Sequence, residues 1–405
     1  MIVMKFGGTS VRDVNAVRRV LGIVGRETRP RLVVVSALAG VTDGLLDIAG
    51  QIESGEGATA EDAVRGLRRR HEEMGPLVGS PERKAALLAD LDRRFDELEA
   101  IVHALAVVEE VSPRSRDTIV SFGELTSSRI VAAALEDAGI PSRAVDPRTV
   151  LVTNDEHGSA QPDLEATDAR LLEEVKPLLD QGIVPVLGGF VGASAAGLTT
   201  TLGRGGSDYS AALFGAGLGA EEIQIWTDVD GMLTADPRMV PGTRVVPHLS
   251  FDEAAELAYF GAKVLHPSTI LPAVRRDVPV RILNSHRPEA PGTRITRSPA
   301  PGVTGPTAIA CKRGQTRLDI ASTRMLEAYG FLRRVFEVFE RYRTSIDVVT
   351  TSEVSVSVTI DERRAVDSIV ADLSEFAEVS AEGGMAIVCA VGDGLRRDPT
   401  LATRM

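Results

Sequence analysis

What most narrows the folds open to this chain is a strand, glycine loop and helix that is written more than once. Residues 2 to 6 (IVMKF) form a short apolar run, Gly7-Gly8-Thr9-Ser10 interrupts it, and Val14, Val17, Leu21 and Val24 then recur at helical spacing. The run RLVVVSA at 31 to 37 passes through AGVTD into another helical stretch, and from 183 the rhythm returns with IVPVLGGF, TTTLGRGGSDYSAALFGAGL and EIQIWTDVDG. Strands alternating with helices predict an α/β unit with a mainly parallel sheet sandwiched by helices, and both glycine loops at one end of it. Ser10 and Asp13 are spaced like a capping box for the first helix.

Between 54 and 116 charged helical segments predict a helical hairpin set off from the sheet, before an apolar helix resumes around 118 to 138. The stretch 285 to 305 is rich in proline, glycine and serine, which marks a boundary near 300 between a unit at 1–298 and another at 303–405. In the second unit strand, helix, two adjacent strands and helix follow in turn, AEVSAEGGMAIVCAVG from 377 then supplies further strands, and the βαββαβ order predicts a small ferredoxin-like unit. The start of a further helix at GDGLRRDPTLATRM, with no strands after it, reads as a second such unit cut short.

Composition removes several classes of function. A formal charge of −12 gives no electrostatic grip on nucleic acid or anionic lipid. No apolar run approaches the roughly 20 residues of a membrane span. The first residues enter a strand without a signal-peptide pattern, and there are only 2 cysteines, Cys311 and Cys389, so a soluble protein of the reducing cytoplasm is expected. The 6 histidines show no metal-ligand spacing, and no metal site is expected.

Two loops carry the chemistry. Lys5 ends the first strand ahead of Gly7, Gly8, Thr9 and Ser10, where small residues let backbone N–H groups approach an anion. The lysine precedes the glycines, so this is not a Walker loop. Only 5 of the 45 Lys and Arg residues are lysines, so one beside a glycine loop suggests a compact point charge where a planar guanidinium would not fit. The second loop, Gly203 to Asp208, also stands before an apolar helix. Either alone is equally a tight turn; two in one α/β unit fit a polyphosphate and its acceptor at the carboxyl ends of the strands. TDVDGMLTADPR at 227 to 238 ends a strand in carboxylates, a glycine turn and Arg238.

With KFGGTS at 5 to 10, SFGEL at 121 to 125, TTTLGRGGSDYSAAL at 199 to 213, WTDVDG at 226 to 231 and FGAKVLHPST at 260 to 269, in that order, the chain resembles the aspartate kinases, members of the amino acid kinase fold. The resemblance implies transfer of the γ-phosphoryl group of ATP, carried with Mg²⁺, to the side-chain carboxylate of L-aspartate. It assigns catalysis to Lys5 and Asp208. Ser36, Thr42, Glu124, Arg204 and Ser207 would bind aspartate, Arg204 at the α-carboxylate and Glu124 at the α-ammonium. Lys5, Gly7, Gly8, Thr9, Ser10, Thr227, Asp228, Leu233, Arg238 and Lys263 would hold nucleotide, although Leu233 stands where relatives commonly have tyrosine.

The C-terminal unit resembles ACT domains that bind amino-acid effectors. The resemblance places the effector at Met325, Gly330, Ile346, Asp347, Ser352 and Glu353, implies a homodimer through the ACT units, and makes lysine the first candidate effector and threonine the second. Two alternatives remain: a sister kinase for glutamate or an N-acyl amino acid, against which Glu124 argues, and a silent amino-acid sensor, against which Lys5, Arg204 and Asp208 argue.

Overall fold

In a computed structural model, which describes residues 1–260, 267–298, 305–322, 329–361, 365–396 and 400, the N-terminal unit is built on an eight-stranded sheet. Its strands are β1 (Ile2–Phe6), β2 (Arg31–Val35), β3 (Ser142–Val145), β5 (Val184–Gly188), β8 (Glu222–Thr227), β9 (His248–Ser250), β10 (Val280–Asn284) and β11 (Thr293–Thr296), ordered 3-5-2-1-8-10-11-9. Neighbours from β3 to β10 run parallel, and β11 reverses against β10. A small sheet of β4 (Val152–Thr153), β6 (Val191–Ser194) and β7 (Thr199–Thr201) stands beside it.

Strand periodicity sorts the sheet's two faces. Ile2, Met4 and Phe6 enter one core with α1 (Val14–Arg26), α2 (Val41–Glu53), the hairpin of α3 (Gly57–Glu72) and α4 (Pro81–Val108), and α5 (Pro113–Asp137). Val3 enters the other, against α8 (Gly206–Gly217), α9 (Phe251–Tyr259) and α10 (Leu271–Arg276). The helix between β4 and β5 starts as α6 (Leu164–Arg170), widens to a π turn over Leu171–Val175 and ends as α7 (Lys176–Asp180). Lys5, on the Val3 side of the alternation, therefore faces α8. The chain leaves β1 leftward to β2 and later returns on its right as β8, so the crevice at the carboxyl end of β1 is the topological switch point where α/β sheets bind ligands.

The first helix is capped differently from expectation. Asp13 is the N-cap, its side chain accepting from the Ala16 N–H at 2.8 Å, while Ser10 lies in a preceding 3-10 turn and points inward. Among the described residues no helix is long and apolar enough to cross a membrane.

The C-terminal unit comprises β12 (Ala308–Ala321), α11 (Phe331–Arg341), β13 (Val348–Thr351), β14 (Ser355–Ile360), α12 (Val366–Ser374) and β15 (Glu378–Val391), with sheet order 13-14-12-15. This is the ferredoxin-like arrangement. Residues after 377, expected as several strands, form one continuous β15, because β12 is long enough to pair with it throughout. The far halves of this ribbon, with Leu318, Ile320 and Val379, pack in the ferredoxin-like core. The near halves place Ala308, Ala310 and Val391 in the core beneath the main sheet.

Glu253 on α9 fastens the ribbon's base. One carboxylate oxygen accepts from the Ser250 N–H at 2.8 Å, closing a capping box, and the other from Thr307 Oγ1 at 2.8 Å and the Asp393 N–H at 3.1 Å. Because Glu253 and its Ser250 donor are buried and the other two donors partly so, Glu253→Ala is expected to cost roughly 2 kcal/mol, read as a lower midpoint in urea melts with an unchanged slope.

Candidate active site

Lys5 and Asp208 meet between the two glycine loops, with Nζ to Oδ1 at 2.6 Å and Lys5 only 8% exposed. Lys5 stays at the mouth of the crevice because β1 ends one residue later. Asp208 comes from the first turn of α8, whose entry needs left-handed backbone at Gly203 (φ 76°) and Gly205 (φ 74°). A side chain at either would be strained, and a Cβ at Gly203 would also press on the Gly158 carbonyl at 3.1 Å. The helix N-terminus adds positive potential to the side of the crevice where Asp208 sits.

A cleft of ≈ 660 Å³ opens beside this pair, lined by Lys5, Gly8, Ser36, Thr42, Glu124 and Arg204 together with Ser207 and Asp208. Ser36 is placed by its N–H, which donates to the Phe6 carbonyl at 3.1 Å, and by its own carbonyl, which accepts from Ser127 Oγ at 2.9 Å. Gly8 is pressed close to the following segment, where a Cβ would meet the Ala37 carbonyl at 3.1 Å. Thr42 stands in the first turn of α2. Arg204 is exposed, and its guanidinium has no ion-pair partner among the described residues.

Glu124 lies on the buried face of α5, 3% exposed, with Oε2 lacking a hydrogen-bond partner among the described residues. Burial pushes its carboxyl up to about 8, against the opposing pull of the Ala37 and Glu124 backbone and the Lys5 charge. An ammonium group entering the cleft would supply the missing partner.

The residues expected to hold nucleotide are less uniformly placed. The Gly7 N–H donates to the Trp226 carbonyl at 3.1 Å, tying the first loop to the end of β8. That brings Thr227 and Asp228 alongside, outside the cleft's lining, with Thr227 Oγ1 donating to Asp228 at 3.2 Å. Thr9 also lies outside that lining. The Ser10 hydroxyl is spent internally, donating to Ser285 Oγ at 2.9 Å in a buried position, so it offers a ligand no side-chain donor. Leu233 bridges to Val245 in a short extended turn. Arg238 swings outward, its side chain 83% exposed and clamped on Asp236 at 2.7 Å, which holds the Asp236 carboxyl down at about 2. Lys263 and most of FGAKVLHPST lie outside the described residues.

Of the effector positions, Met325 lies outside the described residues. Gly330 caps α11 with φ 84°, Ile346 packs on the ferredoxin-like core, and Ser352 and Glu353 sit exposed in the turn between β13 and β14. Asp347, which the resemblance places at the effector, is not a free carboxylate. It is ion-paired with Lys312 Nζ at 2.7 Å and accepts from Tyr259 Oη on α9 at 3.0 Å, because β12 carries Lys312 past the start of β13. Lys312 also reaches Asp361 at 3.2 Å.

Sequence reasoning passed over Asp117 and Thr201, which line the cleft and are joined there with His157, and Phe190, which also lines it with φ 67°. Phe190 is held in that uncommon conformation by the Ser210 hydroxyl, which accepts from its N–H at 2.9 Å, and by the Leu202 N–H, which donates to its carbonyl at 2.9 Å. A carboxylate seven residues before Glu124, and so on the same face of the helix, was the available signal for Asp117.

Residues 1–284 match the family model described as the amino acid kinase family. Lysine-sensitive aspartokinase 3 of Escherichia coli (strain K12) is 38% identical over 406 residues, covering 98% of this chain and 88% of that protein. Chloroplastic aspartokinase 3 of Arabidopsis thaliana is 39% identical over 416 residues, covering 96% and 71%. Among solved structures, E. coli aspartokinase III superposes with a TM-score of 0.82 at 37% identity, both in complex with lysine and aspartate and in complex with aspartate and ADP; the first match covers 98% of this chain and 90% of the other. With the family model matching residues 1–284 and relatives 38% and 39% identical over 98% and 96% of this chain, the chain belongs to the aspartokinases, within the amino acid kinase family.

Proposed function

We propose that this aspartokinase joins the γ-phosphoryl group of ATP to the side-chain carboxylate of L-aspartate in the cleft beside Lys5, and that lysine bound to the C-terminal unit restrains it. The observation that carries the substrate reading is the buried Glu124, whose Oε2 has no hydrogen-bond partner among the described residues, in the same cleft as Arg204, whose guanidinium has no ion-pair partner among them. A zwitterionic amino acid satisfies both at once, its ammonium on Glu124 and its α-carboxylate in the fork of Arg204. An N-acylated substrate would leave Glu124 unpaired.

The nucleophile is already ionised, with a reference pKa of about 3.9, so no base is needed and catalysis rests on alignment and charge. Lys5, oriented by Asp208, neutralises charge as the phosphoryl group passes to the acceptor oxygen. The backbone N–H groups of Gly8 and Thr9 are suited to phosphate oxygens, that of Gly7 being engaged by the Trp226 carbonyl, with Thr227 and Asp228 on the nucleotide side. Mg²⁺ would enter on the phosphates, since no cluster of three His, Cys, Asp or Glu among the described residues is arranged to hold a metal. Trapping the acyl phosphate with hydroxylamine tests the reading: hydroxamate should require both ATP and aspartate, and product with glutamate or an N-acyl amino acid but not aspartate would overturn it.

For the effector, the likeness to a lysine-sensitive relative and the Asp347 carboxylate support lysine. Lys312 already supplies an ammonium to Asp347, so incoming lysine competes with it. Lys312→Ala is therefore expected to lower the lysine concentration for half-inhibition by about tenfold, a little over 1 kcal/mol; a higher concentration in the variant would show Lys312 to be part of the effector pocket instead. The ACT unit is also read as a homodimer contact, with sedimentation as its test.

A further inference from the structure

Asp117 lies two helical turns before Glu124 on α5, shares its inward face and is 2% exposed. Its carboxylate is held by three groups from two separate segments. Thr201 Oγ1 donates to it at 2.6 Å, His157 Nδ1 lies at 2.9 Å, and the Gly158 N–H reaches its two oxygens at 3.1 and 3.0 Å. Both segments lead to the second glycine loop. Thr201 ends β7 just before that loop, and the Gly158 carbonyl packs against Gly203, at 3.1 Å from where a Cβ would stand. Arg204 comes next.

Arg204 itself is exposed and has no ion-pair partner among the described residues, so its place is set by its backbone and not by contacts of its guanidinium. That backbone rests on a strand end and a loop that meet at Asp117. We propose that Asp117 is the positioning residue for Arg204: by clamping Thr201 to the 157–158 loop it fixes the height of the Gly203–Gly205 turn, and with it the affinity for the substrate's α-carboxylate. The inference rests on the reading of Arg204 as the α-carboxylate clamp. Asp117 also lines the cleft, but both its carboxylate oxygens are already engaged by Thr201, His157 and Gly158, so it acts through Arg204 and not through a contact of its own with the substrate.

A residue acting through Arg204 has a signature that general destabilisation lacks. Asp117→Asn keeps the size, loses the charge, and turns one acceptor into a donor facing Gly158 or Thr201. It is expected to raise KM for aspartate by about tenfold while kcat and KM for ATP stay within about twofold. In an Arg204→Ala background the same change should move KM for aspartate by less than about twofold, since the effect has lost its route. If Asp117→Asn does not fold, Thr201→Val removes one of the donors and should show the same split at smaller size. Equal changes in both KM values, or an undiminished effect in the Arg204→Ala background, would overturn the proposal. An Arg204→Ala enzyme with wild-type KM for aspartate would instead strike the clamp reading itself, and the wild-type hydroxamate assay tests the aspartate reading separately.

Discussion

Lys5→Ala is expected to leave a folded protein whose kcat falls by about 10³-fold or more. With a carboxylate as nucleophile there is no proton to abstract, so the barrier is dominated by bringing negative charges together. Lys5 is the cation that β1 delivers to the junction of the two loops, and Asp208 holds it there at 2.6 Å. The fold should survive, because both side chains stand at the wall of a cleft and water can reach the bereaved Asp208. The check is hydroxamate formation beside a thermal melt: turnover within tenfold of wild type, from a variant that melts normally, would remove Lys5 from the chemistry.

Glu124→Gln should raise KM for aspartate by about 100-fold, because the amide offers no charge to the ammonium. The same variant carries a second, opposite signature in the free enzyme. The Glu124 carboxyl is raised from 4.5 to about 8 by burial, so between those values the folded state holds a proton that the unfolded state has released. Its contribution to stability is therefore fully present below pH 4.5 and is lost as pH rises through 8, by several kcal/mol in order of magnitude. Relative to wild type, Glu124→Gln should gain stability as pH climbs from 5 to 8, and its KM should lose the fall that wild type shows as the carboxylate forms. A variant less stable than wild type at pH 8, with aspartate affinity intact, would mean that Glu124 serves packing and not recognition.

The catalytic half was legible because its signals are local. A lysine at the end of an apolar run, glycines before a helix and Glu124 inside an apolar helix are written in consecutive residues, and strand alternation is enough to put Lys5 on the side of α8. What escaped depends on segments far apart in the chain. Nothing near Asp347 announces that Lys312 and Tyr259 will consume its carboxylate, and nothing near Asp117 announces His157 or Thr201. Ser10 misled for a related reason: its hydroxyl sits in a loop that suits an anion, but Ser285 arrives from the end of β10 and takes it. Arg238 shows the reverse, a cation whose nearest carboxylate, two residues away, captures it first.

The shared ribbon of β12 and β15 bears on how the molecule comes apart. Two units joined only by a flexible tether melt independently and can be separated by a protease or a stop codon. Here the base of the ribbon fills the core under the catalytic sheet, while its tip fills the ferredoxin-like core. Loss of either core frays strands that the other needs, so heat or urea should reveal one transition with an enthalpy set by both units together. Cutting the chain just after residue 298 would not release an autonomous kinase; it would withdraw Ala308, Ala310 and Val391 and leave a void beneath the sheet that carries Lys5.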